Sequence, residues 1–171
     1  MIYFISDTHF NHENIIKYCN RPFNNSIDMN EAIINNYNST IKDDDTVYHL
    51  GDFAFGSKEE LINLRSRLKG NVYLIRGNHD MKGSMFYESV GFNVLVNAPI
   101  RLDEHKLILS HRPLSDNQIP QGYINVHGHI HNKLLNDEYP SNEYSKSKHF
   151  NVSVDANNFK PVSLERVKLG M

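Results

Sequence analysis

Three histidines, His127, His129 and His131, stand within VHGHIH at residues 126–131. On an alternating strand all three would project from one face. That arrangement suits a metal ion, a proton relay or simply a polar surface. The same chemistry returns in other short stretches. DTH at 7–9 sets Asp7 two positions from His9, so both side chains can leave an extended backbone on one side. In GD at 51–52, Asp52 follows a glycine that permits a tight turn and close approach. GNHD at 77–80 does the same for Asn78, His79 and Asp80, and His111 opens HRP. Carboxylates, imidazoles and one amide, without a thiolate, suit Mn, Fe, Zn, Co or Ni far better than calcium. The ligands are too many for one ion. Two divalent ions sharing a carboxylate would lie roughly 3.5–4 Å apart, generate hydroxide and clamp an in-line displacement.

Each stretch closes a short apolar β-type run. The runs are IYFIS (2–6), TVYHL (46–50), VYLIR (72–76), KLILS (106–110) and YINV (123–126). Polar residues at the carboxyl ends of strands in an α/β sheet converge on one crevice. Between the runs lie helical segments. Residues 13–19 and 84–90 read as short helices. Asp28 and Glu31 have capping-box spacing ahead of a helix to about Ser39, with Met29, Ile33 and Tyr37 on one face. Ser57 and Glu60 repeat that signal before LINLRSRL, where Leu61, Leu64 and Leu68 share a face and Gly70 is the stop. IRLDEHKLIL (100–109) reads as a hairpin turning near 103–105, and 135–148 as a polar loop. HFNVSVD reads as a strand, and the alternation in VSLERVKL predicts a last one. With no repeat and no linker-like segment, residues 1–171 read as one domain.

The chain of 171 residues has a formal net charge of −2 and a pI near 6.5. No global basic field draws it to nucleic acid or anionic lipid, although a local basic groove stays open. Cys19 is the only cysteine, so no internal disulfide forms and a reducing, cytoplasmic setting is expected. The opening MIYFISDTHF lacks the basic and long apolar segments of a signal peptide. No run approaches the roughly 20 apolar residues of a membrane helix, so no membrane partner is expected. Oligomeric state is not set by the sequence.

Taken in order, DTH, GD, GNHD, a lone histidine and GHIH (128–131) resemble the five signature blocks of the calcineurin-like metallophosphoesterase superfamily. They span residues 7–131. The ending NVSVDANNFKPVSLERV resembles the C-terminus of small members, and DTHFNHENIIKYCNRPF resembles short bacterial and phage ones. The resemblance implies an α/β fold, a β-sandwich of two mixed sheets flanked by α-helices, with a dimetal centre at the carboxyl ends of the strands. Carried over by position, Asp7, His9 and His131 hold one ion, Asn78, His111 and His129 hold the other, and Asp52 bridges them. His79 approaches the phosphate and stabilises or protonates the leaving oxygen, and Asp80 orients that imidazole. Two divalent ions outweigh two carboxylates and a bridging hydroxide, so the centre favours an anionic phosphate ester.

The expected function is hydrolysis of a small, nucleotide-like phosphodiester by direct attack of metal-bound hydroxide. A phosphomonoesterase, or a silent binding module on the same scaffold, is the alternative. Such a module is expected to lose ligands or His79, and this chain has the full set. A nuclease would need a basic groove. Asn11, His12 and Arg21 follow DTH and are expected at the rim of the site, in reach of a phosphate or base. Arg112, next to His111, is placed to pair with phosphate bidentately. His49 is expected to pack beside the site and His127 to be a strand histidine rather than a ligand. His105 and KDDDT (42–46) read as solvated loop.

Overall fold

A computed structural model describes residues 1–170. In chain order its elements are β1 (Ile2–Ile5), α1 (Glu13–Tyr18), α2 (Ser26–Thr40), β2 (Thr46–His49), α3 (Lys58–Ser66), β3 (Asn71–Leu74), α4 (Ser84–Val90) and β4 (Asn93–Val94). There follow β5 (Ile100–Leu102), β6 (Leu107–Leu109), β7 (Ile124–His127), α5 (Leu135–Glu138), β8 (His149–Asn151), β9 (Val162–Ser163) and α6 (Leu164–Leu169). One sheet runs β4-β3-β2-β1-β9 and the other β5-β6-β7-β8. Both are mixed: β1 to β4 are parallel with β9 antiparallel, and β6 to β8 are parallel with β5 antiparallel.

Strand periodicity divides the apolar side chains between two cores. Tyr3, Ile5, Val47, Val72 and Leu74 point to one face of the first sheet and meet Ile33, Tyr37, Leu61, Leu64, Tyr87 and Val90 of helices α2, α3 and α4. Phe4 points the other way and packs between the sheets with Leu107, Leu109, Val126 and Val152. A smaller cluster of Ile108, Ile119 and Tyr123 lies apart from both. At a typical 1.5–3 kcal/mol for each fully buried large apolar side chain, this packing is what fixes the strand ends relative to one another. Ile5 pairs with His49 and His49 with Leu74, so β1, β2 and β3 end at one level. Ser6 bridges to Ser153, which joins the end of β1 to the second sheet. The loops after β1, β2, β3, β6 and β7 therefore meet where the two sheets meet.

Several local expectations hold. The capping box of α3 is formed by Ser57 and Glu60, and β5 and β6 make the hairpin, with a 3-10 turn over Asp103–His105. Others are corrected. Helix α2 starts a turn early: Asn25 is its N-cap and accepts the Asp28 N–H, so Asp28 sits inside the first turn. VSLERVKL is two residues of strand followed by a helix. The Ser163 side chain caps the Arg166 N–H, and Leu164 and Val167, three apart, turn one apolar face inward. The stretch 135–148 contains a helical turn, Leu135–Glu138, and a 3-10 turn, Lys146–Lys148. Asp45 of the acidic run is buried and accepts the Lys42 N–H at 2.8 Å rather than facing solvent. No helix among the described residues is long and apolar enough to cross a membrane.

Candidate metal centre

The histidines of VHGHIH do not share a strand face. β7 stops at His127, and His129 and His131 take left-handed backbone angles, φ +70° and +51°. His127 is buried edge-on to His149, with ring centroids 5.6 Å apart, and its Nδ1 lies 2.9 Å from the Gly128 carbonyl. His129 and His131 instead turn in two directions, each toward a different group of ligands. Asp7, His9 and Asp52 are left-handed too, at φ +58°, +47° and +56°. Such angles are strained for residues with a Cβ, and they persist only where surrounding structure imposes them.

The first group is Asp7, His9 and His131, with one ligand atom of each within 4.8 Å of the others. Asp7 is fully buried. Its Oδ2 accepts the His129 N–H at 2.9 Å and the Ser153 hydroxyl at 2.8 Å, whereas Oδ1 has no partner. Both ring nitrogens of His9 are buried and unpartnered as well. Burial holds the His9 imidazole neutral, pulling its pKa down to about 2 against the opposing pull of Asp52. Burial also acts to lower His131, but the hydrogen bond to Asp155 outweighs it and carries that imidazole up to about 10. The bond joins His131 Nδ1 to Asp155 Oδ2 at 2.7 Å, which leaves Nε2 for the cluster.

The second group is Asp52, His111 and His129. His111 Nδ1 is committed to the Leu50 carbonyl at 2.8 Å. In the neutral ring, Nε2 then carries the lone pair, and it faces Asn78 Oδ1 at 3.0 Å and Asp52 Oδ2 at 3.4 Å. Burial pulls His129 down to about 4. Asp52 connects the groups, since its Oδ2 also lies 3.5 Å from His9 Nε2. Burial raises its carboxyl, but the bonds and charges of His111, the His79 N–H and His9 win, and it is held well below the usual carboxylate range.

An unpaired buried polar atom costs about 1–3 kcal/mol. Here Asp7 Oδ1 and the His9 ring nitrogens are buried without partners, and the lone-pair nitrogen of His9, Nε2, lies 3.5 Å from Asp52 Oδ2. Cations satisfy them, and the donor set of carboxylate oxygen, amide oxygen and imidazole nitrogen fits divalent transition metals. The motif glycines agree. A Cβ on Gly51 would come within 2.8 Å of His111 Nδ1 and 2.6 Å of Gly77 Cα, and one on Gly77 or Gly128 would overlap the Asp52 or Asp7 carboxylate.

Residues 1–163 match the calcineurin-like phosphoesterase family. The chain belongs to that family. Calcineurin-like phosphoesterases are metal-dependent hydrolases of phosphoesters that typically bind two divalent ions, and the two ligand groups sharing Asp52 fit that pattern. An uncharacterized protein of Methanocaldococcus jannaschii is 44% identical over 172 residues, covering 97% of this chain and 88% of its own. Among solved structures, a protein of unknown function from Aquifex aeolicus superposes with a TM-score of 0.73 at 28% identity, covering 100% of this chain and 99% of that one. The nuclease MPE of Pseudomonas putida shares the fold, with a TM-score of 0.51 at 20% identity over 76% of this chain and 61% of its own.

Within this calcineurin-like centre, three expected side chains do other jobs. Asp80 does not hold His79. Its buried carboxylate accepts three backbone N–H groups, from Asp52 at 2.7 Å, Gly77 at 2.8 Å and Phe53 at 3.1 Å, and so ties the GD loop to the GNHD loop. Arg21 is not at the rim. It is 4% exposed, forks onto Asp155 at 2.8 and 2.9 Å, and donates to the carbonyls of Thr8 and Asp7. Asn11 is spent on Asn30 and the Phe55 carbonyl. His12 and Arg112 do stand at the rim. The His12 ring lies 5.7 Å from that of His9, and Arg112 lines a cleft of about 370 Å³ with Arg76, Asn78 and His111. His79 is exposed, its ring edge-on to His9 at 5.4 Å, and its backbone N–H donates to Asp52 Oδ1 at 2.8 Å. His49 packs as expected, buried with Nε2 3.0 Å from the Thr8 hydroxyl. Asp155, Ser153 and Arg76 were not foreseen. For Asp155 the sign was present, because it ends the apolar run VSV as Asp7 ends IYFIS.

Proposed function

We propose that this calcineurin-like phosphoesterase is a phosphodiesterase acting on a small, nucleotide-like ester. The observation that carries the reading is Asp52, whose one oxygen stands 3.5 Å from His9 Nε2 and 3.4 Å from His111 Nε2, between two ligand groups. Asp7, His9 and His131 would hold one divalent ion and Asn78, His111 and His129 the other, with Asp52 placed to serve both. When bound, the ions supply the Lewis acidity that activates water and neutralises phosphate charge.

The rest falls to the chain's own side chains. His131 is turned by Asp155 so that Nε2 faces the cluster, and Arg21 keeps Asp155 in place. His111 is fixed in one tautomer by the Leu50 carbonyl. His79, anchored through its backbone to Asp52 yet exposed at the ring, gives a ring proton to the leaving oxygen. Arg112 pairs with a non-bridging phosphate oxygen from the cleft beside Asn78. The cleft lined by Asn78, His111, Arg76 and Arg112 gives the second ester group of a small diester a place beside the ligands.

The test is a comparison of bis(4-nitrophenyl) phosphate with 4-nitrophenyl phosphate in the presence of Mn²⁺ or Ni²⁺. The diester is expected to turn over faster, and Arg112→Ala to raise KM. Preference for the monoester would overturn the diesterase reading and leave the metal-dependent hydrolase intact.

A further inference from the structure

The chemistry at the ligands uses no aromatic ring except imidazole, yet a row of rings leads away from it. Phe55 lies 5.6 Å from His79 and, nearly parallel at 20°, 6.1 Å from His9. His12 lies 4.4 Å from Phe55, and Tyr18 lies 6.3 Å from His12. Helix α1 buries Ile15 but leaves Tyr18 73% exposed at the outer end of the row. Beside Phe55 and His79 a cleft of about 130 Å³ is walled by Met81 and Phe86, and Met81 is 84% exposed. A large ring and a thioether left in water at the mouth of a catalytic site call for a flat apolar ligand.

We infer that this ledge stacks the base of the leaving nucleoside on the tilted His12 and Phe55 rings, with Tyr18 set edge-on at its outer end. The inference rests on the diesterase reading above and narrows it to short, single-stranded nucleotidyl diesters. Two observations set the chemistry. His79 borders the ledge, so the group leaving beside it departs over Phe55 and His12. Every base has a π-face, and stacking on aromatic side chains tolerates any sequence. A base in a duplex is already stacked and cannot also lie on the ledge without being flipped out. The chain's net charge of −2 offers no global basic field for a long duplex backbone. Recognition through one base therefore outweighs recognition through many phosphates.

The experiment uses the metal-loaded protein with thymidylyl-thymidine and with its two analogues that each lack one base. One analogue is expected to be cut less efficiently by roughly 5- to 150-fold in kcat/KM, the worth of one base on aromatic rings. In Tyr18→Ala, a surface change, and in Phe55→Leu, that ratio is expected to fall toward one while two metals stay bound. A parallel readout needs no turnover: 2-aminopurine deoxyribonucleotide should lose fluorescence on binding, and less so in Phe55→Leu. Equal cleavage of all three substrates without quenching overturns the ledge and leaves the diesterase standing. Quenching that depends on Phe55, with no diester cleaved, upholds the ledge and overturns the diesterase.

Discussion

His79 separates catalysis from metal binding most cleanly at the scale of one residue, because its hydrogen bond to the cluster runs through its backbone N–H while its ring only packs edge-on to His9. His79→Gln keeps that N–H and removes the ring proton. Turnover is expected to fall by roughly 10²–10⁴-fold, the range for a positioned acid or base, with two metals retained on elemental analysis. Loss of a metal from this variant would make His79 a ligand instead. Asp80 behaves differently. Burial pushes its carboxyl up, and the backbone donors from Gly77, Phe53 and Asp52 oppose that shift. Asp80→Asn places an amide N–H₂ against some of those donors, at about 1–3 kcal/mol for a buried group left unpaired. A lower thermal midpoint is therefore expected together with slower turnover. Slower turnover at unchanged stability would instead restore the role of orienting His79.

The elements show why some of this was legible and some was not. Five apolar runs ending in Asp, Asn or His are a period-2 signal with polar punctuation, and all five appear as β1, β2, β3, β6 and β7. The ligands themselves lie two to four residues beyond the strand ends, in loops whose backbone is left-handed at Asp7, His9, Asp52, His129 and His131. Nothing in residue type announces those angles, so strand alternation misassigned VHGHIH. Arg21 and Asn11 were misplaced for a related reason. Their side chains fold back beneath the ligands to satisfy carbonyls of the strained DTH turn and of Phe55, a demand that exists only once the turn exists. The last expected strand failed because Ser163 offers its hydroxyl to the Arg166 N–H, and a cap outweighs a weak alternation. Asp155 comes from the turn after β8 and orients His131 while accepting both arms of Arg21. Asp155→Asn is expected to weaken metal affinity by about 10- to 100-fold, as removal of a carboxylate behind a ligating histidine does. A chelator-competition titration reads this directly, and an unchanged affinity would confine Asp155 to holding Arg21.

Across the whole molecule, buried neutral imidazoles tie folding to pH. Burial takes His49 and His127 from 6.5 down to about 3 in the fold. Between about 3 and 6.5 the unfolded chain binds more protons, so the metal-free protein loses stability as pH falls through that window. His131 works in the opposite sense. Raised to about 10, its contribution is complete below 6.5 and is lost as pH rises through 10. The urea midpoint of chelated protein is thus expected to be highest near pH 6.5 and clearly lower at pH 4.5, and a midpoint flat across that range would count against the buried-neutral assignment. Adding metal should raise the midpoint, since ions that bind only the folded ligand set stabilise it by mass action. The functional reading depends on one claim, that two ions share Asp52 in a hydrolytic centre. The direct measurement is a titration of chelated protein with Mn²⁺, following bound metal and diester turnover in the same samples. Turnover is expected to reach its plateau at two equivalents per chain, and Asp52→Asn to bind less metal and show no turnover. Full turnover without metal, a plateau at one equivalent, or an Asp52→Asn variant with two bound ions and near-normal rate would contradict it.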